Sequence, residues 1–176
     1  EEVGEIIEIG PDAQGVALGD RVYGVWGHRT RHSVSDEYAR QRRLPPRLDP
    51  LLGVFSQIGA IALNGVHDAG LRIGETVAVF GLGVPGQIVA QLAKRSGVRV
   101  LGVDLFEARR AKALELGAID AAIDPATVAA AEQIKALTGG RGADVCIEVS
   151  GAAAALAEAV RATAYSSRVV AMGFVQ

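Results

Sequence analysis

The sequence has a single cysteine, Cys146, and this scarcity excludes an internal disulfide and a cysteine-rich zinc site. It favours a reducing compartment, so we expect the protein in the cytoplasm. No run reaches the roughly 18 consecutive apolar residues that a membrane-spanning helix needs, and no charged-then-apolar leader segment opens the chain. We therefore expect no membrane partner.

The sequence also lacks an excess of charge of one sign. Its 18 Lys and Arg residues stand against 20 Asp and Glu residues, so the net charge is −2. This balance lacks the excess of basic residues that is typical of proteins that bind nucleic acid. A basic cluster at residues 40–47 has acidic neighbours and is typical of a solvated loop, with a contact patch as the alternative. What is abundant is hydrophobic residues, 49% of the 176, enough for a sizeable core.

Residues 1–50 differ in pattern from the remainder. The segment EVGEIIEIGPDA alternates before a turn, GDRVYGV has the pattern of a second short strand, and TRHSVSDEY alternates weakly. These features predict an all-β segment with tight turns. From residue 51 the period becomes helical through LLGVFSQIGAIALNGVHDAG, which ends at Gly70.

From residue 71 onwards, strand-like and helical patterns alternate. The strand-like segments are continuous apolar runs, namely TVAVFG, VRVLGVD, AAID, ADVCIEVSG and SRVVAMGF. Such runs are typical of parallel strands that are buried on both faces. The alternation predicts a doubly wound α/β sheet. The organisation we predict is a β segment over 1–50, a linker helix over 51–70 and an α/β domain over 71–176.

The stretch VFGLGVPGQIVAQLAKRSGVRVLGVD, residues 79–104, contains three closely spaced glycines after a strand. Gly81 permits a tight turn, Gly83 lets a diphosphate approach the backbone, and Gly86 lets the helix lie close to the strand. A helix beginning near Val84 points its free amides and its positive dipole end at the phosphates. This context predicts a dinucleotide site, whereas a glycine turn that only tightens packing is the alternative.

An acidic residue, Asp104, ends the next strand. We predict that it accepts hydrogen bonds from ribose hydroxyls and repels a 2′-phosphate, which favours NAD over NADP as the cofactor. Arg109 lies one turn into the following helix, where it either reaches the ribose or is an exposed helix charge. If Arg109 moved onto a 2′-phosphate, the preference for NAD would weaken.

Two further strand ends belong to the same edge of the predicted sheet. Ser150 follows the strand ADVCIEV, where it is either a helix cap or a cofactor contact. Gly173 ends the last strand together with Met172 and Phe174. Because ligands bind at the carboxyl ends of parallel strands, we predict that Ser150 and Gly173 line the cofactor site.

These motifs resemble one known family. The segments GETVAVFGLGVPGQIVAQLAKRSGVRVLGVD, ARRAKALELGA and GGRGADVCIEVSG resemble the medium-chain dehydrogenase/reductase superfamily, the zinc-type alcohol dehydrogenases and their relatives. The front segment EEVGEIIEIGPDAQGVALGDRVYG is similar to that family's G-H-E-x-x-G-x-V followed by G-D-R-V. The resemblance implies a Rossmann domain, preceded by a partial GroES-like catalytic segment over 1–50. By this comparison the start and the end of the catalytic domain are absent.

The resemblance also bears on zinc. It places the family's third zinc ligand at Ser56, and serine is a poor ligand for this ion. Zinc is therefore doubtful as a cofactor here, and Ser56 becomes a candidate catalytic hydroxyl donor or proton relay. His28 and His32 fall in a predicted strand, where residues four apart lie about 13 Å from each other. They cannot share one ion in that state, and we predict no metal site.

The function that the resemblance implies is hydride transfer between NAD and a small alcohol or carbonyl substrate. One alternative is a dinucleotide-binding protein or fragment without turnover, and another is a zinc-free quinone or enoyl reductase. The segment GVFSQIGAIALNGVHDAGLRIGE resembles the branch that includes the bacteriochlorophyllide dehydrogenases. The resemblance further implies a homodimer that forms through the last strand, SRVVAMGF.

Overall fold

The computed structural model describes residues 1–173 and divides into two compact units. The first unit spans Glu1–Ala60 and the second begins at Ile61. The division falls within a single helix, α3 (Ser56–Ala69). Among residues 1–173, no helix has the length and apolar character needed to cross a membrane.

The first unit contains two strands, two short helices and the first residues of α3. Strands β1 (Glu2–Glu5) and β2 (Arg21–Gly24) pair in antiparallel fashion. They are followed by α1 (Asp36–Gln41) and α2 (Pro50–Gly53).

The expectation of an all-β segment is wrong at α1. The Ser35 hydroxyl accepts a hydrogen bond from the N–H of Tyr38 at 3.2 Å and caps this helix. Asp36 and Glu37 in its first turn complement the helix dipole. Local capping therefore overrides the weak alternation of TRHSVSDEY.

The second unit is a five-stranded sheet in the order β5-β4-β3-β6-β7, and every pair in it is parallel. This arrangement confirms the predicted α/β class. The strands are β3 (Thr76–Phe80), β4 (Arg99–Val103), β5 (Ala121–Ile123), β6 (Ala143–Glu148) and β7 (Thr163–Ala171). The intervening helices are α4 (Val84–Arg95), α5 (Glu107–Glu115), α6 (Ala130–Leu137) and α7 (Ala153–Ala162).

The central strand β3 is buried along its whole length. Its Val77 and Val79 face one apolar layer, which includes residues of α3 and α4. Its Ala78 and Phe80 face the opposite layer, which includes residues of α6 and α7. Alternate side chains thus fill two layers, and full burial of one such valine or phenylalanine contributes about 1.5–3 kcal/mol.

The sheet order determines where a ligand can bind. From β3 the chain continues to β4 on one side and later returns to β6 on the other, so the winding reverses between β3 and β6. Open α/β sheets bind ligands in the crevice at such a point, outside the carboxyl ends of the strands. The predicted glycine turn follows β3, which places it at this crevice.

Candidate functional site

Two of the three glycines are required by close packing. Gly81 follows β3 with a φ of +94°, a conformation that residues with a Cβ rarely adopt. A Cβ there would also lie 2.9 Å from the Ser150 nitrogen. In the first turn of α4, a Cβ on Gly86 would lie only 1.9 Å from the carbonyl oxygen of Gly81. The close approach of helix and strand predicted from Gly86 is therefore present.

Gly83 differs from these two glycines because nothing in the fold requires it. It is the N-cap of α4, its φ is −65°, and a Cβ there would meet no atom within 4 Å. The space beside its backbone is open. Helix α4 begins at Val84 as predicted, and the first N–H groups of a helix have no partner within the helix. Because Pro85 has no N–H, Val84 and Gly86 provide the first donors.

The residue between the first two glycines, Leu82, is held at both ends. Its side chain is buried, and its N–H donates to Asp104 Oδ2 at 2.7 Å. Its carbonyl oxygen accepts from Gln87 Nε2 at 3.2 Å, and the same Nε2 donates to the carbonyl oxygen of Arg109 at 2.9 Å. These bonds tie the glycine turn to α4, to the end of β4 and to α5. Sequence reasoning missed Gln87, although an amide side chain in the first turn of an apolar helix is a usable signal.

The carboxylate of Asp104 points towards the glycine turn. Its side chain is only 5% exposed, and its Oδ1 accepts from the N–H of Phe106 at 2.8 Å. The Arg109 guanidinium lies 3.5 Å from Asp104 Oδ2 and 4.6 Å above the Phe106 ring. A carboxylate has about four acceptor positions, so the bonds to Leu82 and Phe106 leave capacity for further donors. Arg109 is half-exposed and is paired with this acid.

Ser150 is not the cap of the helix that follows it. The N-cap of α7 is Ala152, whose side chain makes no capping bond. The Ser150 hydroxyl instead donates to Glu148 Oε1 at 2.5 Å and accepts from the N–H of Ala152 at 3.2 Å. The capping alternative is wrong because Ser150 lies two residues before the N-cap, so its oxygen accepts from the Ala152 N–H and not from an amide within α7. Sequence reasoning missed Glu148, and its signal is a carboxylate inside an apolar strand.

Gly173 lies at the same sheet edge, as the topology predicts. Its N–H donates to the carbonyl oxygen of Glu148 at 3.1 Å. A Cβ at this position would lie 2.3 Å from the Gly151 nitrogen and 2.6 Å from Glu148 Oε2. Gly173 is thus packed against the segment that follows β6. The predicted neighbour Phe174 lies outside the described residues.

Ser56 is the predicted site residue that lies in the first unit. It is half-buried and begins α3. The N–H of Ile58, two residues further into that helix, donates to Glu1 Oε2 at 3.1 Å. The carboxylate of Glu1 therefore lies at the start of the helix that carries Ser56.

The expectation that His28 and His32 lie in a strand is wrong, because both lie in the segment between β2 and α1. His28 has a φ of +51° and lies in a loop. Glu2 holds this loop, because its carboxylate accepts from the N–H of His28 at 2.7 Å and from that of Trp26 at 3.1 Å. These bonds, that of His28 first, hold the pKa of Glu2 below its ordinary value. His32 stacks on Trp26 with ring centroids 6.0 Å apart.

The described residues do not fit a metal ion. Within residues 1–173, no three His, Cys, Asp or Glu side chains are grouped so that they could hold one. Cys146 lies in the middle of β6, and burial raises the pKa of its thiol to about 11. A thiol with such a pKa is protonated at neutral pH and is neither a nucleophile nor a ready metal ligand.

Known proteins are similar to this chain in sequence and in fold. The family described as zinc-binding dehydrogenase matches residues 83–176, more than half of the chain. D-guloside 3-dehydrogenase of Escherichia coli (strain K12) is 39% identical over 98% of this chain and 49% of its own length. (R,R)-butanediol dehydrogenase of Bacillus subtilis (strain 168) is 30% identical over 95% of this chain and 55% of its own length.

A solved structure is also similar. It is described as a zinc-binding dehydrogenase from Sinorhizobium meliloti 1021 bound to NADP, and it superimposes with a TM-score of 0.80 at 27% identity. The match covers 97% of this chain and 59% of that one. The chain spans about half the length of the curated relatives it matches.

Proposed function

Because the chain belongs to the zinc-binding dehydrogenase family, we propose that it binds a nicotinamide dinucleotide at the glycine turn for hydride transfer with an alcohol or carbonyl substrate. The observation that carries this proposal is the geometry of the glycine turn, where hydrogen bonds fix the Leu82 peptide and the space beside the Gly83 backbone is open. The Leu82 peptide is held by Asp104 and Gln87, while no atom lies within 4 Å of a Cβ placed on Gly83. The backbone is therefore pre-positioned beside empty space, which is what close approach of a diphosphate requires.

Each proposed contact follows from this geometry. The first amides of α4, at Val84 and Gly86, donate to the diphosphate, and the positive end of the helix dipole attracts it. Asp104 accepts from the ribose hydroxyls, with Arg109 beside it. The residues Leu105 and Phe106 are 63% and 59% exposed next to the acid, and they offer an apolar surface to the adenine ring.

The opposite wall and the substrate complete the proposal. Ser150 and Gly173 form the wall across from the glycine turn, because each lies two residues beyond the carboxyl end of its strand, β6 or β7, at the same edge. When bound, the cofactor supplies the hydride acceptor or donor. The names of the relatives specify a guloside, a butanediol and sorbitol, so we propose a polyol or sugar hydroxyl as the substrate group. Ser56 is our candidate for relaying the hydroxyl proton, and since residues 1–173 provide no zinc ligand set, no step is assigned to a metal.

We expect NADH to bind at least about tenfold more tightly than NADPH, because the Asp104 carboxylate repels a 2′-phosphate. Asp104→Asn removes that repulsion and should shrink the ratio of the two dissociation constants towards one. Fluorescence titration with each cofactor measures the ratio. The test is needed because the relative from Sinorhizobium meliloti was solved with NADP.

The matched control for this test is Asp120→Asn. Asp120 accepts from the N–H of Val100 at the amino end of β4, so it lies at the opposite sheet edge from Asp104. The control substitution changes the net charge by the same amount and should leave the ratio unchanged. Tighter binding of NADPH than of NADH by the unaltered chain would refute the proposed preference.

We also propose a homodimer that forms through β7 and a cytoplasmic location, the latter on the single cysteine alone. In the described part of the chain β7 pairs only with β6, and its Tyr165 and Val169 side chains are exposed. An unpaired strand edge is a template for a second strand. Sedimentation velocity should show a dimer that Val169→Lys converts to a monomer, and a monomeric unaltered chain would refute the dimer.

A further inference from the structure

The side chain of Glu148 is fully buried at the carboxyl end of β6. Its Oε1 accepts three hydrogen bonds, from the Ser150 N–H at 2.6 Å, the Ser150 hydroxyl at 2.5 Å and the Gly151 N–H at 3.0 Å. Burial of a carboxylate is costly unless hydrogen bonds compensate for the lost hydration. Three donors converging on one oxygen therefore mark this side chain as the element that orders the Ser150–Gly151 segment.

The segment that Glu148 orders is one wall of the crevice. The Ser150 backbone nitrogen and Cα lie 2.9 and 3.0 Å from the position of a Cβ on Gly81. The carbonyl oxygen of Glu148 also accepts from the N–H groups of Met172 and Gly173, at 2.8 and 3.1 Å. Glu148 thus joins the ends of β6 and β7 and sets the segment that abuts the glycine turn.

We propose that Glu148 is a positioning residue for the diphosphate part of the dinucleotide site. The proposal rests on the function proposed above. Glu148 has no exposed surface, so it acts through Ser150 and Gly81 and not by touching the ligand. Loss of its acceptor oxygen releases the Ser150 and Gly151 amides, and the wall beside the glycine turn loses its fixed position.

The two oxygens of this carboxylate differ, and the difference identifies a conservative variant. Among residues 1–173, Oε2 is buried with no hydrogen-bond partner, whereas Oε1 accepts all three bonds. Glu148→Gln keeps one acceptor oxygen for the three donors and alters only the partnerless position. Glu148→Leu has a similar size and keeps no acceptor.

The experiment measures dissociation constants of NADH, ADP and AMP for the whole chain and its variants. Glu148→Leu should weaken ADP and NADH about tenfold, which corresponds to the loss of charge-assisted hydrogen bonds. AMP lacks the second phosphate, so its binding should change less than about twofold, and Glu148→Gln should stay within about threefold of the unaltered chain. Val145→Ala, at a buried position of the same strand, controls for lost stability and should leave all three constants unchanged.

Several results would overturn the proposal. Unchanged ADP binding in Glu148→Leu, or an equal loss for AMP and ADP, refutes a positioning role towards the diphosphate. If Glu148→Leu does not fold, Ser150→Ala removes only the hydroxyl donor and should weaken ADP about two- to fourfold, and unchanged binding there refutes the role as well. Failure of the unaltered chain to bind NADH would refute the proposed function itself, which is a distinct outcome.

Discussion

Gly83→Val is expected to weaken NADH binding about a hundredfold while the chain keeps its fold. The φ of −65° at this position suits any residue, and a Cβ there meets no atom within 4 Å. The larger valine side chain fills the space that the diphosphate needs. Loss of two charge-assisted hydrogen bonds, each worth about 1.5–3 kcal/mol, gives a hundredfold change or more. NADH fluorescence titration measures the affinity, and thermal unfolding measures the stability.

The control for Gly83→Val is Gly10→Val. A Cβ placed on Gly10 also meets no atom within 4 Å, and Gly10 has no positive φ, but it lies in the first unit, in a turn distant in sequence from the glycine loop. This variant should fold and bind NADH as the unaltered chain does. Undiminished NADH binding by Gly83→Val would show that the diphosphate does not approach this backbone.

The local part of the site was predictable because its signals lie within one stretch of sequence. The apolar run of β3, the three glycines and the helical pattern from Val84 each reflect a backbone requirement, and the structure has the strand, turn and helix in that order. The helix–strand contact at Gly86 also follows from neighbouring residues. Backbone conformation is largely a local property, so short sequence patterns can predict it.

The contacts that fix the turn were not predictable in the same way. Gln87 donates to the carbonyl oxygens of Leu82 and Arg109. The Arg109 carbonyl oxygen comes within hydrogen-bond distance of Gln87 only because α4 packs beside α5. Glu148 orders a segment that touches Gly81 only because β3 and β6 are neighbours in the sheet. Such contacts join residues that are far apart in sequence, and a spacing pattern does not contain them.

Asp104 illustrates how a correct local prediction can remain incomplete. Its place at the end of β4 follows from the sequence, but its hydrogen bond to the Leu82 N–H follows from the parallel pairing of β3 with β4. The same carboxylate therefore holds the glycine turn and faces the proposed ribose position. Removing the Asp104 carboxylate should reduce the affinity for both NADH and NADPH, and it should also reduce the discrimination between them. The ratio of the two dissociation constants is therefore more informative than either constant alone.

Gly86→Ala is expected to lower the free energy of unfolding by about 3 kcal/mol. The added Cβ would lie 1.9 Å from the Gly81 carbonyl oxygen, far inside contact distance. The Gly81 carbonyl oxygen cannot easily move away, because the Gly81 N–H donates to the carbonyl oxygen of Val103 at 2.8 Å and fixes the end of the strand. Helix α4 must therefore move outward and loosen the packing of its fully buried Val89 and Ala90. Urea unfolding followed by circular dichroism measures the change.

The comparison with Gly59→Ala separates this clash from the general effect of glycine in a helix. Gly59 lies in α3, and a Cβ there meets no atom within 4 Å. Alanine is the better helix former by up to about 1 kcal/mol, so Gly59→Ala should be neutral or stabilising. Equal stability of Gly86→Ala and the unaltered chain would mean that α4 is not seated against the turn at Gly81. The amides of its first turn would then lack the fixed position on which the proposed diphosphate site depends.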